Sequence, residues 1–382
     1  MQIPDSNIYP SRFSILLTGG AGFLGRAIVN ELLSDDSPMD FSLLRIFDVK
    51  TYDGPFDSRI EMVIGDIRDE NAVLQACQGI DVVIHSAAVV DWGTRPEEEV
   101  YSVNYTGTEH VVKACLTHGV RHLIYTSSLD AIYAGKSLVD IDESIPYPAK
   151  HPNMYCRSKQ MAEKLVMKAN GVPTSYVVKD DQFTNPSAPL STSQPFPLTT
   201  CVLRPADVYG PGDPFHIGSL INMARGGFYV RLGDGTSLSQ HVFVGNIARA
   251  HLQALHALMN GKTAVAGNAY FITDSSPSNF FRFFDAIVEG AGFRIRPKNI
   301  WIPRNIAYAM GAMAEFFALL IRPVKKFNPK FSRFAVMYTC NDFTFTSAKA
   351  ANDFGFIPKY SKEEAFKITV RYYSEDKAPI DK

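Results

Sequence analysis

The stretch FSILLTGGAGFLG, from Phe13 to Gly25, decides the fold. Phe13–Thr18 is a short apolar run with no polar alternation, the pattern of a strand buried on both faces of a parallel sheet. It runs directly into glycines at positions 19, 22 and 25, spaced G-x-x-G-x-x-G, and then into a helical pattern from Arg26 to Leu33. Each glycine answers a steric demand. One makes the tight turn, one lets the backbone approach a pyrophosphate, and one lets helix and strand pack closely. The helix N-terminus then offers free N–H groups and a partial positive charge to phosphates. Glycine clusters alone mark plain turns. Strand, turn and helix in sequence point instead to a dinucleotide site, with Gly19, Gly22, Phe23, Leu24 and Gly25 as its contacts.

Outward from this turn the chain alternates. Strand-like runs follow at Leu43–Asp48, Glu61–Ile64, Val82–His85 and His122–Thr126, with helical stretches at Asn71–Cys77 and Glu97–His118. The alternation predicts an α/β, doubly wound parallel sheet of Rossmann type. Val172–Thr200 carries five prolines and many Ser and Thr, and reads as a long irregular insertion, exposed and mobile. Cys201–Arg204 resumes the sheet. The expected organisation is a dinucleotide-binding domain over residues 1–205, containing that insertion, and a smaller mixed substrate lobe over 206–382, interleaved with the first.

Asp48 ends the second strand, 23 residues after Gly25, where a carboxylate accepts the hydroxyls of the adenosine ribose. It repels a 2′-phosphate, so NAD is expected over NADP, although Lys50 nearby opposes that preference. Asp66 and Ile67 close the third strand, at the expected adenine edge. Capping of the next helix is the competing role for Asp66.

Tyr155 and Lys159 stand four apart on a helix and share one face. A phenol titrates near ~10, too high for a base at neutral pH. A neighbouring ammonium, together with the positive nicotinamide, is expected to stabilise the phenolate. Tyr155 then takes the alcohol proton as hydride leaves for the nicotinamide, while Lys159 also holds the nicotinamide ribose. A hydroxyl from another element must orient the substrate oxygen, and Tyr125-Thr126-Ser127-Ser128 closes a predicted strand, where a doubly wound sheet places its ligands.

Bulk properties exclude several classes. The 382 residues are 46% hydrophobic and 20% charged, enough for a sizeable core. A formal net charge of −1 gives no electrostatic reason to expect nucleic acid. Five scattered cysteines without a C-x-x-C pair argue against a metal site or a disulfide framework and fit a reducing compartment. The first residues lack the pattern of a secretory signal. Ile306–Ile321 (IAYAMGAMAEFFALLI) is apolar apart from Glu315, and is followed by Arg322, Lys325 and Lys326. It is shorter than the ~20 residues of a membrane span. Two placements are open: a helix buried against the sheet or lining the substrate cleft, or a monotopic contact through 306–326 with the basic cluster at the headgroups.

The motifs TGGAGFLG (Thr18–Gly25), GDI (Gly65–Ile67), HSAA (His85–Ala88), NYTGT (Asn104–Thr108), YTSS (Tyr125–Ser128), YCRSK (Tyr155–Lys159), LRP (Leu203–Pro205) and YGPGD (Tyr209–Asp213) resemble the extended short-chain dehydrogenases. VFVGNIARAH (Val242–His251), YFITDSSP (Tyr270–Pro277), the apolar helix before Arg322-Pro323, and Phe343–Ala365 resemble more closely the 3β-hydroxysteroid dehydrogenase family. The resemblance implies Tyr155 as general base, Lys159 as its partner, and Ser128 as the substrate-orienting hydroxyl, with Ser127 as the alternative. It adds Ala87 and Pro205 to the cofactor contacts. His85 is expected to contribute backbone rather than imidazole chemistry. Asn104 either supports the helix and relay water behind the lysine or caps a helix.

The implied activity is NAD-dependent oxidation of a 3β-hydroxysteroid or sterol to the 3-ketone, with Δ5–Δ4 isomerisation or loss of a C4 carboxylate as further steps. A sugar-nucleotide epimerase, a small-ketone reductase and a non-catalytic dinucleotide sensor are the alternatives. The expected location is the cytosolic side of an internal membrane, the endoplasmic reticulum in a eukaryote, or else the cytoplasm. Homodimer assembly is left open. The insertion is longer than the family pattern and Leu129–Ser137 departs from it, so substrate identity stays open.

Overall fold

The computed structural model describes residues 12–174, 177–179, 182–184, 196–321 and 331–375. In chain order the first half comprises β1 (Phe13–Thr18), α1 (Phe23–Leu32), β2 (Phe41–Asp48), β3 (Ile60–Ile64), α2 (Glu70–Cys77), β4 (Val82–His85), α3 (Glu97–Tyr101), α4 (Gly107–His118), β5 (His122–Thr126), β6 (Leu138–Ile141) and α5 (Met154–Lys168). There follow β7 (Val177–Lys179), β8 (Gln182–Thr184), β9 (Thr199–Pro205), β10 (Asp207–Tyr209), α6 (Ile217–Arg225), β11 (Arg231–Leu232), β12 (His241–Phe243) and α7 (Val244–Met259). The chain continues through β13 (Asn268–Ile272), α8 (Phe280–Gly290), β14 (Trp301–Ile302), α9 (Arg304–Ile321), α10 (Arg333–Thr339), β15 (Phe343–Phe345), α11 (Ala348–Phe354) and α12 (Lys362–Glu375).

Seven strands form one sheet in the order β13-β9-β5-β4-β1-β2-β3, and every pairing is parallel. Strand alternation splits the core across the sheet. Ile15 and Leu17 pack with α1 and α7 on one face, while Leu16 packs with α2, α4 and α5 on the other. A third apolar cluster joins α6, α8 and parts of β12 and α10. The doubly wound expectation is met, and the winding reverses between β1 and β4, the switch point where ligands bind in such sheets.

The second half does not stand apart. β13 completes the main sheet beside β9, and β15 pairs with β6. A cut at residue 205 would therefore run between two adjacent strands.

Three expectations change. The predicted helix Glu97–His118 is one helical run, but it contains a π turn at Ser102–Thr106. The insertion is not wholly irregular: β7 and β8 pair antiparallel. Residues 175, 176, 180, 181 and 185–195 lie outside the described residues, and so does the expectation of mobility placed on them.

The third change concerns α9, which is not a core helix. Ala307 and Gly311 are buried, but Ile306, Met310, Met313, Phe317 and Leu320 are exposed at helical spacing. Glu315 is turned instead to α10, where it accepts from the Arg333 backbone N–H (2.7 Å) and guanidinium (2.6 Å). Among the described residues no helix is long and apolar enough to cross a membrane. Arg322, Lys325 and Lys326 lie outside the described residues.

Candidate active site

Every residue expected to contact the dinucleotide, and Ser128 with them, lines a single cleft of about 690 Å³ over the switch point. Its floor is the β1–α1 turn. Gly19 has φ +75°, and a Cβ there would stand 2.7 Å from the Ala87 backbone. A Cβ on Gly25 would stand 2.1 Å from the Gly19 carbonyl oxygen, so the helix can approach the strand only without one. Gly22 is the N-cap of α1, no side chain caps that end, and its first turn carries no acidic residue. The free N–H groups and dipole thus face the cleft unneutralised, which fits a pyrophosphate.

The adenosine end is built from strand ends. Asp48 Oδ2 accepts from the Ala21 N–H (3.0 Å) and Oδ1 from the Lys50 N–H (2.9 Å), so the carboxylate is locked against the glycine turn. Asp66 pairs with Arg68 at 2.6 Å, and that guanidinium holds its carboxyl below the usual range. Asp66 is not the helix cap. Asp69 performs that role for α2, accepting from Asn71 and Ala72. Ile67 is buried and its carbonyl meets His110 Nδ1.

At the chemical end, Asn153 caps α5 by accepting from the Cys156 N–H (2.9 Å), which fixes the first turn where Tyr155 sits. Lys159 Nζ donates to the Thr126 carbonyl (2.7 Å) and lies over the Tyr125 ring. Burial pulls its ammonium down to about 7, with Glu163 and Asp130 opposing. The Tyr155 phenol is pushed well above its ordinary value, first by burial and then by Asp130, while its hydrogen bond with Ser128 pulls the other way. The expected stabilisation of the phenolate draws on the positive nicotinamide as well as on Lys159. Sequence spacing places Lys159 on the right face but says nothing of burial, and burial dominates.

Ser128 Oγ donates to Asp130 Oδ2 (2.8 Å). Burial pushes the Asp130 carboxyl up to about 7, with Ser128 opposing. Ser127, the alternative hydroxyl, donates to Glu163 instead (2.6 Å). Glu163 is wholly buried on α5 and also pairs with Arg204 of β9 and the Tyr147 hydroxyl. Asn104 caps nothing. It lies inside the π turn and exchanges hydrogen bonds with the Val89 backbone, while its amide also donates to Ser158 Oγ (3.2 Å), bracing α5. His85 bridges Thr18 and Thr108 from full burial, and burial takes its pKa down to about 3.

Sequence reading missed the residues that share this cleft from the second half and its approach: Asp207, His216, Phe334, Tyr338 and Trp92. The Trp92 ring meets Tyr338 at 5.2 Å, His216 at 5.6 Å and Phe334 at 6.1 Å, and Ser332 Oγ donates to the Trp92 carbonyl. Only Asp130, two residues past Ser128, and Glu163, one turn past Lys159, carried a local signal.

A seven-stranded parallel sheet with a glycine turn, a Ser at the end of β5 and a Tyr–Lys pair on α5 defines an extended short-chain dehydrogenase. Solved structures agree on the fold. A dTDP-glucose 4,6-dehydratase from Streptomyces venezuelae, solved with NAD bound, superposes with TM-score 0.70 at 20% identity, covering 95% of this chain and 97% of that one. A UDP-glucose 4-epimerase from Thermotoga maritima gives 0.67 at 20% identity, covering 95% and 99%. Residues 16–304 match the 3-beta hydroxysteroid dehydrogenase/isomerase family, and the chain belongs to that family. It is 32% identical over 373 residues to the 3beta-hydroxysteroid-dehydrogenase/decarboxylase isoform 2 of Arabidopsis thaliana, covering 94% of this chain. The chain spans 62% of that relative's length. It is 33% identical over 355 residues to the short-chain dehydrogenase/reductase family 42E member 1 of Danio rerio, covering 91% of this chain and 85% of that protein. The family's cofactor is a nicotinamide dinucleotide.

Proposed function

We propose that this protein oxidises the 3β-hydroxyl of a steroid or sterol to the ketone, with NAD as cofactor. The observation that carries the reading is that Tyr155 and Ser128 line the same cleft as the uncapped α1 N-terminus, beside a wall of Trp92, Phe334 and Tyr338. Gly19, Gly22 and Gly25 would seat the pyrophosphate, Asp48 the adenosine ribose and Lys159 the nicotinamide ribose. The bound nicotinamide supplies the hydride acceptor. Ser128 orients the alcohol oxygen and Tyr155 takes its proton. Aromatic and apolar walls suit a flat, water-poor substrate better than a charged sugar nucleotide. The Asp48 carboxylate favours NAD over NADP by repelling a 2′-phosphate.

The test is NADH formation on a panel of 3β-hydroxysteroids, sugar nucleotides and small alcohols. Turnover on the steroids alone is expected, and turnover on sugar nucleotides alone would overturn the reading in favour of an epimerase-type enzyme.

The exposed stripe on α9 extends this proposal to a peripheral membrane contact. Glu315 is neutralised against Arg333, leaving Ile306, Met310, Met313, Phe317 and Leu320 to enter the headgroup boundary. Sterol substrates partition into the same layer. Protein recovered wholly in the soluble fraction without detergent, before any high-salt or carbonate wash, would sink the membrane contact and leave the oxidation reading untouched.

A further inference from the structure

Glu163 is not among the residues that line the cleft, yet three pieces of its wall meet on that one carboxylate. It is wholly buried on α5, one turn beyond Lys159 on the same face. Arg204 of β9 donates to it through Nε, 3.0 Å from Oε1 and 3.2 Å from Oε2, and again through Nη2. Ser127 Oγ donates to Oε2 (2.6 Å), and the Tyr147 hydroxyl donates to Oε1. Ser127 stands between Thr126, whose carbonyl accepts from Lys159 Nζ (2.7 Å), and Ser128. Arg204 directly precedes Pro205, a cleft residue. The carboxylate thus joins the end of β5, the end of β9 and the face of α5 that carries Lys159.

As a clamp alone, this is an expensive choice. Well-packed apolar side chains of the same volume would hold α5 to β9 without the cost of burying two charges. The pair is also imperfect: Arg204 Nη1 is buried and finds no hydrogen-bond partner among the described residues. What an apolar clamp could not supply is negative charge beside Lys159. That ammonium is 2% exposed and lies 4.5 Å from the centre of the Tyr125 ring. The titratable groups around it are Tyr155 and Glu163 on its own helix, Tyr125 on β5, Asp130 just beyond β5 and His85 on β4. His85, taken down to about 3 by burial, brings no charge. Burial draws Lys159 down to about 7, and Glu163 is the larger of the two groups that oppose it. The other, Asp130, is itself pushed up to about 7 by burial, which makes it the weaker source of charge at neutral pH.

We propose that Glu163 is a positioning residue for hydride transfer, which keeps the Lys159 ammonium charged inside the protein and holds Lys159 and Ser128 in register. The inference rests on the Tyr155–Lys159 reading above and not on the choice of substrate. A charged Lys159 binds the hydroxyls of a nicotinamide ribose and stabilises a phenolate at Tyr155, and a neutral amine does both poorly. Glu163 touches neither cofactor nor substrate. It acts through Lys159 by its charge, and through Ser127 by fixing the strand end that carries Ser128.

The test separates charge from clamping. Glu163→Gln keeps the shape and removes the charge. Glu163→Gln with Arg204→Met also removes the unpaired guanidinium, so most of the lost stability returns while the charge stays absent. Wild type and both variants are titrated with NADH, followed by fluorescence, from about pH 6 to about pH 10, and thermal melting is recorded on the same samples. Wild-type affinity is expected to weaken as pH rises through the Lys159 transition. In both variants that loss is expected at a pH lower by about one unit or more, in the stabilised double variant as in the single. Turnover of a 3β-hydroxysteroid at about pH 8 is expected to fall about tenfold in the double variant, the effect of one pKa unit. A wild-type affinity that is flat with pH, or a transition that does not move in the double variant, overturns the proposal. Return of affinity and turnover together with stability in the double variant, or failure of both variants to fold, makes Glu163 a clamp alone and overturns it equally. A wild type that binds NADH but oxidises no steroid counts against the steroid reading only, and the NADH titration still decides the role of Glu163.

Discussion

Tyr155 is where chemistry and burial pull against each other. Its phenol is held above its ordinary pKa by burial and by Asp130, so unaided it is a poor base. On the proposed reading, positive charge brought by a bound nicotinamide would supply the counterweight and tie proton transfer to cofactor occupancy. Tyr155→Phe is expected to lower turnover by roughly 10²-fold or more while NAD affinity, read by fluorescence titration, changes little. Near-normal turnover in that variant would remove Tyr155 from the mechanism.

Asp130 gives a second prediction with a defined sign. Its folded pKa, about 7, lies above the unfolded value of 3.8. The folded protein therefore binds the proton more tightly, and that stabilisation is present below pH 3.8 and lost as pH rises through 7. Asp130→Asn is expected to be more stable than wild type at pH 8, by up to about 4 kcal/mol, with the advantage gone by pH 4. Equal denaturant midpoints at pH 8 would contradict the buried, reluctant carboxyl. The glycine turn was legible because its demands are local and steric. The ionisation of Tyr155 and Asp130 was not, because it depends on walls contributed by distant residues.

Among the elements, α5 does the most positioning. Tyr155, Lys159 and Glu163 follow one another at four-residue spacing, and the buried Glu163–Arg204 pair bolts that face to β9. Tyr147 and Ser127 complete the carboxylate's shell. Removing one partner leaves a buried charge unpaired, so Glu163→Gln is expected to cost about 3–5 kcal/mol in urea unfolding. Glu163→Gln combined with Arg204→Met should recover much of that loss. A single-variant cost below about 1 kcal/mol would mean that the pair is not holding the helix.

Element prediction succeeded where a segment is buried on both faces. β1, β4 and β5 fall on their predicted residues because nothing but a central parallel strand explains such apolar runs. It failed at α9. Apolar composition reports that a helix avoids water but not which neighbour covers it, and here no described element covers Met313 or Phe317.

For the whole molecule, the decisive feature is the return of the chain. The proposed boundary at 205 leaves β9 without its outer neighbour β13 and β6 without β15. A fragment of residues 1–205 is therefore expected to be insoluble or to lack a cooperative thermal transition, since β9, nearly all buried in the whole protein, would present an unpaired edge. A soluble fragment with a sharp transition would show that the sheet closes without β13. The sheet class was readable from the first half alone, but this closure was not, because a five-residue strand such as Asn268–Ile272 acquires its place only from a partner 67 residues earlier.

That same closure sets a timetable for biosynthesis. A ribosome adding about 5–20 residues per second finishes β9 well before it delivers β13, and β15 emerges later still. For several seconds or more the nascent sheet carries an unpaired edge of backbone N–H and C=O groups, available to chaperones or to neighbouring chains on the same message. Growth temperature, codon tempo and chaperone supply should thus govern the yield of this protein more strongly than the stability of the finished fold.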